Sequence, residues 1–282
     1  MSVVGASRKK NLNEINIPPF LKWAGGKRWF VQKYDHLLPK EYDRYIEPFL
    51  GGGSVFFHLK PQKAVLGDCN KDLIDAYKGI KKNHIRIKEI LSEHHSLHSD
   101  EYYYRIRSSK PDDLIERAAQ FIYLNRTCFN GIYRVNRLGE FNVPKGSKDN
   151  VLLESDDFQV LSRLLHRASL KACDFEKIID QAGEGDLVFA DPPYTVRHNL
   201  NGFIKYNEKL FSWGDQIRLA AALTRARKRG AQVICTNANH ESVRELYSSS
   251  VFDLDVVSRY SSISAKTSSR NQYEELVITA TK

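Results

Sequence analysis

Residues Gly185–Asn199 read GDLVFADPPYTVRHN. Four apolar residues, 187–190, indicate a buried strand, and the tetrapeptide Asp191–Tyr194 follows them at once. Consecutive prolines supply no backbone N–H and fix two φ angles, so a central strand cannot continue through them. The plain interpretation is a stiff loop that happens to carry an acid. The alternative is a clamp whose rigidity serves chemistry.

Short apolar runs alternate with helical segments on both sides of this stretch. Five such runs precede residue 240: 42–49, 63–68, 169–175, 185–191 and 231–237. This alternation predicts an α/β fold with a mostly parallel sheet and helices on both faces. The last two runs, 251–260 and 273–282, have no helix between them. They predict an antiparallel pair that closes one edge of the sheet.

Residues 78–168 interrupt the alternation. Apolar stripes predict helices at 111–127 and 155–168, and turn signals predict a hairpin-like loop over 128–146 between them. We therefore expect an inserted helical lobe that carries a basic hairpin. The amphipathic pattern of residues 70–83 predicts a helix that leads into the lobe.

The composition of the 282-residue chain argues against several protein classes. No apolar run approaches the ~18 residues that a membrane span needs, and the first 14 residues lack the apolar segment of a secretory signal. The four cysteines are widely spaced, which fits reduced thiols in a cytoplasm better than disulfides or a zinc site. The net charge of +9 favours a polyanionic partner.

Two histidines, His94 and His98, are four residues apart, as metal ligands on a helix can be. No accompanying ligands are apparent in the sequence. We therefore expect a solvated segment there and no metal.

A glycine-rich loop follows the first predicted strand. Gly51–Gly53 would lie at the carboxyl edge of the sheet, where the backbone can approach a ligand closely. Asp68 ends the next predicted strand, a position from which an acid can bind ribose hydroxyls. Neither the dinucleotide fingerprint nor a Walker A motif is present. Together these features favour a nucleoside-containing cofactor that is not a dinucleotide, whereas the glycines alone would also fit a plain turn.

The chemistry of an exocyclic amine on a nucleobase accounts for the clamp. Such an amine is a poor nucleophile because its lone pair is delocalised into the ring. Asp191 can accept one of its N–H bonds and the Pro192 carbonyl the other, which aims the lone pair at an electrophile. Pro192 and Pro193 hold both acceptors in place beforehand, and Tyr194 can stack on the base. A base gripped in this way must leave the duplex stack.

The motifs FLKWAGGK, EPFLGGGSVF, GDCNKDLI, LNRTCFNGIYRVNRLGEFNVPKG and FADPPY occur in this order. They closely resemble those of the Dam-like DNA adenine-N6 methyltransferases, from Phe20 to the final strand. The resemblance implies a seven-stranded methyltransferase sheet with an antiparallel edge strand. It also implies S-adenosylmethionine as methyl donor, S-adenosylhomocysteine as product and double-stranded DNA as partner.

The predicted organisation has three parts. They are a flexible basic arm at 1–16, an S-adenosylmethionine-binding catalytic domain formed by 17–77 and 169–282, and an inserted target-recognition domain at 78–168. We further expect a cytoplasmic monomer encoded by a bacterium or phage. A cognate restriction endonuclease would be a functional partner, and it would not need to bind the methyltransferase.

The resemblance assigns residues by position. The cofactor-binding set is Trp23, Ala24, Gly25, Lys27, Glu47, Pro48, Phe49, Gly51, Gly53, Ser54, Asp68, Asp174, Phe175 and Asp191. The catalytic set is Asp191, Pro192, Pro193 and Tyr194. The DNA-binding set is Lys22, Arg126, Phe129, Asn130, Ile132, Arg134, Lys148, Arg259, Lys266 and Arg270. In this last set Phe129 would wedge into the base stack, and Arg134 suits a guanine.

Two segments depart from the family pattern. Residues 146–149 read GSKD where many members that methylate GATC have Gly-Arg-Tyr-Lys, and residues 195–216 also differ. GATC is the leading prediction for the target site, and these departures leave the recognition sequence open. Two alternatives for function also stay open: cytosine-N4 methylation, which uses the same clamp logic, and a DNA-binding repressor-like protein without catalysis.

Overall fold

The computed structural model describes residues 12, 15–136, 138–196, 211–260 and 272–281, with backbone alone for residues 259, 260, 272 and 273. Seven strands of the described chain form one sheet. They are β1 (Arg44–Glu47), β2 (Ala64–Asp68), β3 (Ala168–Ala172), β4 (Asp186–Ala190), β5 (Gln232–Ala238), β6 (Asp253–Tyr260) and β7 (Gln272–Ala280).

The order of the strands across the sheet is β3-β2-β1-β4-β5-β7-β6. The first five pair in parallel, whereas β7 runs antiparallel to both β5 and the outermost strand β6. The predicted fold class is therefore confirmed, with the antiparallel strand one place inside the edge. The strand order reverses between β1 and β4, and ligands of such sheets bind at the carboxyl ends beside this reversal.

Strand β4 illustrates why the apolar runs form the sheet. Its residues 187–190 are fully buried. Leu187 and Phe189 join one hydrophobic cluster, while Val188 and Ala190 join the other. Side chains alternate between the faces of a strand, so a continuous apolar run fits a strand with helices on both sides.

Nine α-helices accompany the sheet within the described ranges. They are α1 (Arg28–Lys33), α2 (Ser54–Leu59), α3 (Lys71–Leu97), α4 (Asp100–Ser108), α5 (Leu114–Thr127), α6 (Phe158–Leu165), α7 (Phe175–Ile179), α8 (Trp213–Lys228) and α9 (Glu241–Leu246). Polar side chains cap several of them: Asn70 accepts from the backbone of α3 and Asp113 from that of α5. Such caps satisfy N–H groups that have no partner inside the helix.

The helical lobe contains more helix than predicted, because α4 is present and α3 is longer. The helix predicted at residues 70–83 continues to Leu97, with a kink at Asn83 where φ is −154° and ψ is 77°. Ile87 and Tyr103 of the lobe share one buried cluster with Leu66 of β2 and Phe189 of β4. The lobe and one face of the sheet therefore share a core, and the division into domains stays a prediction.

The hairpin and the N-terminal arm are described to different extents. Antiparallel bridges join Cys128 to Lys145 and Val135 to Phe141, which gives the loop its hairpin form. The predicted arm lies mostly outside the described residues, although Leu12 is buried in the core.

The prediction of a solvated segment around His94 and His98 is correct for residues 93 and 95–97, which are exposed, but wrong for the two histidines. The Nδ1 atom of His94 lies 2.7 Å from the Tyr102 hydroxyl, and that of His98 lies 2.8 Å from the Tyr123 hydroxyl. His94 is buried. The two rings are thus part of an aromatic cluster inside the lobe.

The described parts of the chain contain no group of three or more potential metal ligands. None of their helices combines the length and the apolar character needed to cross a membrane.

Candidate catalytic site and DNA-binding surface

Asp191 lies directly after β4, at the carboxyl edge of the sheet, and is held by two neighbours. Its Oδ1 atom accepts a hydrogen bond from the Thr236 hydroxyl of β5 at 2.7 Å and lies 2.8 Å from the Lys27 ammonium. The side chain of Lys27 is 4% exposed and that of Asp191 is 18% exposed. The structure therefore places a largely desolvated ion pair at the end of the strand that precedes the two prolines.

Lys27 and Tyr194 are linked through a second carboxylate. The Lys27 ammonium lies 3.5 Å from Oε2 of Glu275, a residue of β7, and 5.1 Å from the centre of the Tyr194 ring. The Tyr194 hydroxyl donates to the same Glu275 oxygen at 2.5 Å. We call Lys27, Asp191, Tyr194, Thr236 and Glu275 the clamp cluster. It contains one ammonium group between two carboxylates.

The surroundings shift the titration of two members of this cluster. Burial raises the pKa of Asp191, and the ammonium of Lys27 and the hydroxyl of Thr236 oppose that rise. Burial also raises the pKa of Tyr194 far above its usual value, reinforced by the charges of Asp191 and Glu275. The phenol therefore stays protonated and acts as a hydrogen-bond donor at neutral pH.

The glycine loop between β1 and α2 is close to two other predicted cofactor residues. The Gly51 N–H donates to Oδ2 of Asp68, while Oδ1 accepts from the backbone of Asn70. Gly51 has a φ of +48°, and a Cβ there would lie 2.6 Å from Cδ1 of Trp23. The fold thus brings together Trp23, Gly51 and Asp68, three residues of the predicted cofactor-binding set, and the packing of the indole itself requires the glycine.

Glu47 ends β1 and is almost completely buried. Its Oε2 atom has no hydrogen-bond partner within the described structure, and the same is true of the nearby Tyr45 hydroxyl. Burial raises the pKa of Glu47 well above its ordinary value, and the charges of Asp191 and Asp68 raise it further. The charges of both Asp191 and Asp68 therefore act on Glu47.

An aromatic group forms beside the glycine loop. Phe49 and Phe175 stack with centres 5.3 Å apart, and Phe211 meets Phe49 edge to face at 5.5 Å. Asp174 caps α7 through Glu176 N and pairs with Arg218 of α8 at 2.8 Å. The Arg218 guanidinium also lies 4.8 Å from the centre of the Phe175 ring.

The remaining predicted cofactor residues differ in their exposure. Pro48, Gly53 and Ser54 are buried, whereas Ala24 and Gly25 are exposed. Lys27 donates to the Gly25 carbonyl at 3.1 Å.

The hairpin presents apolar and basic groups to solvent, beginning at its base beside the Cys128–Lys145 bridge. Phe129 is 55% exposed and Ile132 is 47% exposed. Asn130, between them in the chain, adopts a left-handed backbone with φ of +57°. Arg134 is exposed and donates from Nε to Asn142 at 3.1 Å.

Lys22 lies at the base of this surface. Partial burial lowers the pKa of Lys22, and the charge of the nearby Lys148 lowers it further. The Asn125 side chain holds the Lys22 backbone in both directions, with N–H···O distances of 2.9 Å. A Cβ at Gly131 would lie 2.5 Å from the Lys22 side chain, so this glycine lets the hairpin pack on Lys22.

Comparison with known proteins identifies the family. A family model for D12 class N6 adenine-specific DNA methyltransferases matches residues 23–263. The chain belongs to this family. It is therefore an enzyme whose substrate is DNA and whose target base is adenine, and the resemblance seen in the sequence is confirmed.

Several curated relatives align over most of their length. Type II methyltransferase M1.LlaDCHI of Lactococcus lactis subsp. cremoris is 38% identical over 276 residues, which cover 95% of this chain and 96% of the relative. Type II methyltransferase M.MjaIII of Methanocaldococcus jannaschii is 38% identical over 246 residues, covering 79% and 85%. A DNA adenine methylase of Haemophilus influenzae is 31% identical over 266 residues, covering 92% of each chain.

One residue predicted to bind DNA in this D12 methyltransferase has a structural role instead. Arg126 is 3% exposed, and its guanidinium makes hydrogen bonds of 2.6 and 2.7 Å to the two carboxylate oxygens of Asp156. It also donates to the carbonyls of Phe20 and Val151. Because the guanidinium is buried and its acceptors lie inside the protein, it cannot reach a DNA phosphate. Arg126 therefore does not make the predicted DNA contact.

The three predicted phosphate contacts near the C-terminus lie wholly or partly outside the described residues. Lys266 and Arg270 lie outside the described residues, and only the backbone of Arg259 is described, in β6.

Sequence reasoning missed four neighbours of the site in this methyltransferase: Thr236, Glu275, Arg218 and Tyr133. Thr236 interrupts an apolar run in β5, and Glu275 occupies an inward position of β7 among apolar residues. A polar residue at a core position is a signal that could have found both. Tyr133 stacks on Trp23 with centres 5.8 Å apart, which joins the hairpin to the glycine loop.

Proposed function

We propose that the protein transfers a methyl group from S-adenosylmethionine to the N6 amine of an adenine flipped out of a short duplex DNA site. GATC is the proposed site, on the strength of the resemblance to the Dam-like enzymes. The observation that carries the proposal is the buried Lys27–Asp191 pair, held against two prolines at the carboxyl end of β4 in an N6 adenine-specific family.

The adenine amine would be held by Asp191 and the Pro192 carbonyl. Both contacts of Asp191 within the described structure use Oδ1, so Oδ2 is the atom proposed to accept an amine N–H. The Tyr194 ring has the Lys27 ammonium on one face, and we propose that the adenine stacks on the other. The amine loses a proton when it is methylated, and Asp191 Oδ2 is the proposed acceptor, since burial raises the pKa of this carboxyl.

The residues around the glycine loop fit the proposed methyl donor. S-adenosylmethionine, when bound, supplies an electrophilic methyl group on a positively charged sulfur. Glu47 carries a buried acceptor atom without a partner, which suits a cationic ligand. Asp68 lies where an acid can bind ribose hydroxyls, and Phe175 with Asp174 offers a ring face and an acceptor for an adenine. A direct contact from Lys27 to the donor stays a prediction.

The hairpin is the proposed reader of the DNA sequence. Phe129 lies beside the Cys128–Lys145 bridge at the base of the hairpin and is an exposed apolar residue, as a wedge between base steps requires. Arg134 is placed on the same surface, and a bidentate contact to a guanine would add about 1–3 kcal/mol of discrimination. Lys22 and Lys148 would meet the DNA beside it.

Because two relatives are named type II methyltransferases, we also propose that a cognate restriction endonuclease accompanies this enzyme.

The test is methylation of plasmid DNA with methyl-labelled S-adenosylmethionine, followed by hydrolysis and separation of the bases. The proposal expects label in N6-methyladenine for the native enzyme. It expects Asp191→Ala to lose this label while DNA binding changes less than about threefold. Glu274→Gln, at an exposed position of β7, is the matched control and should behave as the native enzyme. Label in N4-methylcytosine, or DNA binding with no label in any base, would contradict the proposal.

A further inference from the structure

Glu275 comes from a part of the chain far from the catalytic motif, yet reaches its centre. It lies in β7, where it pairs with Ala238 of β5. Strand β5 is the neighbour of β4, the strand that Asp191 directly follows. The topology of the sheet therefore delivers a carboxylate from the C-terminal strand to the catalytic end of the central strands.

Two contacts of Glu275 go to the groups that flank Asp191. Its Oε2 atom accepts the Tyr194 hydroxyl at 2.5 Å and lies 3.5 Å from the Lys27 ammonium. The side chain is 4% exposed. Its neighbour Glu274 points the other way, is exposed and accepts a hydrogen bond from Asn239. Alternation along the strand thus separates a buried acid from a surface acid one residue apart.

A second buried carboxylate is unexpected on grounds of stability alone. Burying a charge is costly unless it is paired, and a polar pair is often no more stable than an apolar one of the same size. Here one ammonium serves two carboxylates, at 2.8 Å from Asp191 and 3.5 Å from Glu275. The amine grip of the proposed function needs only one of these acids, so the other calls for a separate role.

We propose that Glu275 is a positioning residue for methyl transfer, which holds the Lys27 ammonium and the Tyr194 hydroxyl so that Asp191 keeps the orientation and charge needed to grip the adenine amine. This inference rests on the proposed function and deepens it. By sharing Lys27, Glu275 prevents the ammonium from neutralising Asp191 completely, so the acid remains a strong acceptor. By anchoring the Tyr194 hydroxyl, it also fixes the plane on which the base stacks.

The charge of Glu275 shifts the pKa of Asp191 in a defined direction. Within the described chain, the titratable groups that interact electrostatically with Asp191 include Lys27, Tyr45, Glu47, Tyr194, Cys235 and Glu275. Within this set Lys27 lowers the pKa of Asp191 and Glu275 raises it. Removing the charge of Glu275 should therefore let Asp191 ionise at lower pH, while the grip on the amine weakens because Lys27 is no longer shared.

The experiment compares Glu275→Gln with the control Glu274→Gln. Glutamine keeps an oxygen that can accept the Tyr194 hydroxyl but removes the charge. Measurements are kcat and KM for N6-methyladenine formation from pH 5 to 9, the Kd for S-adenosylmethionine, and the melting temperature. We expect kcat of Glu275→Gln to fall about 10- to 100-fold at pH 7.5, with KM and Kd within about threefold. The acid limb of its kcat profile should move to lower pH by about half a unit or more.

Three results would overturn the inference. One is a kcat and a pH profile for Glu275→Gln equal to those of Glu274→Gln. Another is a loss of kcat that only follows a loss of folded protein, because a purely structural role predicts that. The third result applies if Glu275→Gln does not fold. Tyr194→Phe then decides, because it removes the hydroxyl donor and keeps the ring, and an unchanged kcat of this variant would overturn the inference. Absence of N6-methyladenine with the native enzyme would instead refute the proposed function itself.

Discussion

Replacement of Lys27 by methionine tests the electrostatics of the clamp cluster. Methionine has nearly the same length but no charge. In the native enzyme the ammonium is 4% exposed and lies 2.8 Å from Asp191 and 3.5 Å from Glu275. Its removal leaves two carboxylates in one buried cluster without the cation between them. Loss of one partner from a buried ion pair typically costs about 3–5 kcal/mol.

The effect on catalysis follows from the same numbers. Part of this cost raises the activation barrier, because Asp191 loses its charge or its orientation. If that part is about 3 kcal/mol, the rate falls by more than about 100-fold, since each 1.4 kcal/mol lowers a rate tenfold. Burial raises the pKa of Asp191 and Lys27 opposes that rise. The Lys27→Met variant should therefore need a higher pH to ionise Asp191, and its acid limb should move upward. This direction is opposite to that expected for Glu275→Gln.

The assay is single-turnover methylation of a duplex oligonucleotide at saturating donor and DNA, from pH 5 to 9. Lys63→Met is the control, because Lys63 is exposed and lies at the amino end of β2, away from the catalytic edge. A Lys27→Met rate within about threefold of the control, with the acid limb in the same place, would refute the reasoning.

Three further predictions concern stability and coupling. Burial lowers the pKa of His94 from 6.5 to about 4. As the pH falls, the unfolded chain therefore binds this proton before the folded chain does. The free energy of unfolding should fall by about 3 kcal/mol between pH 6.5 and pH 4. Urea unfolding of the native enzyme and of His94→Gln measures this loss, which the variant should lack. Arg126→Met should lose about 3–5 kcal/mol of unfolding free energy, because it leaves Asp156 buried and unpaired; a change confined to DNA affinity would contradict this. Tyr133→Leu should weaken donor binding about 2- to 10-fold by calorimetry through loss of its stack on Trp23, and unaltered binding would count against that link.

Much of the fold was predictable because local patterns and burial agree. The run at 187–190 is apolar on both faces, and the prolines after Asp191 end the strand where the structure ends it. The glycine loop and Asp68 follow adjacent parallel strands, so their proximity follows from the alternation of strands and helices. These features need no knowledge of distant contacts.

The errors and omissions share a physical cause. Arg126 was expected to bind DNA because its charge is visible in the sequence, whereas its pairing with Asp156, 30 residues away, is not. His94 looked solvated because the tyrosines that bury it come from other helices. Glu275 meets the clamp only because β7 inserts between β5 and β6, an arrangement that sequence patterns do not specify.

The central claim is that Asp191 and the Pro192 carbonyl grip the adenine amine. The most direct measurement is a crystal structure of the enzyme with duplex DNA containing the target site and an unreactive analogue of the methyl donor. The account predicts an extrahelical adenine whose N6 lies about 3 Å from both an Asp191 carboxylate oxygen and the Pro192 oxygen. An extrahelical adenine in the site with Asp191 turned away from its amine would contradict it.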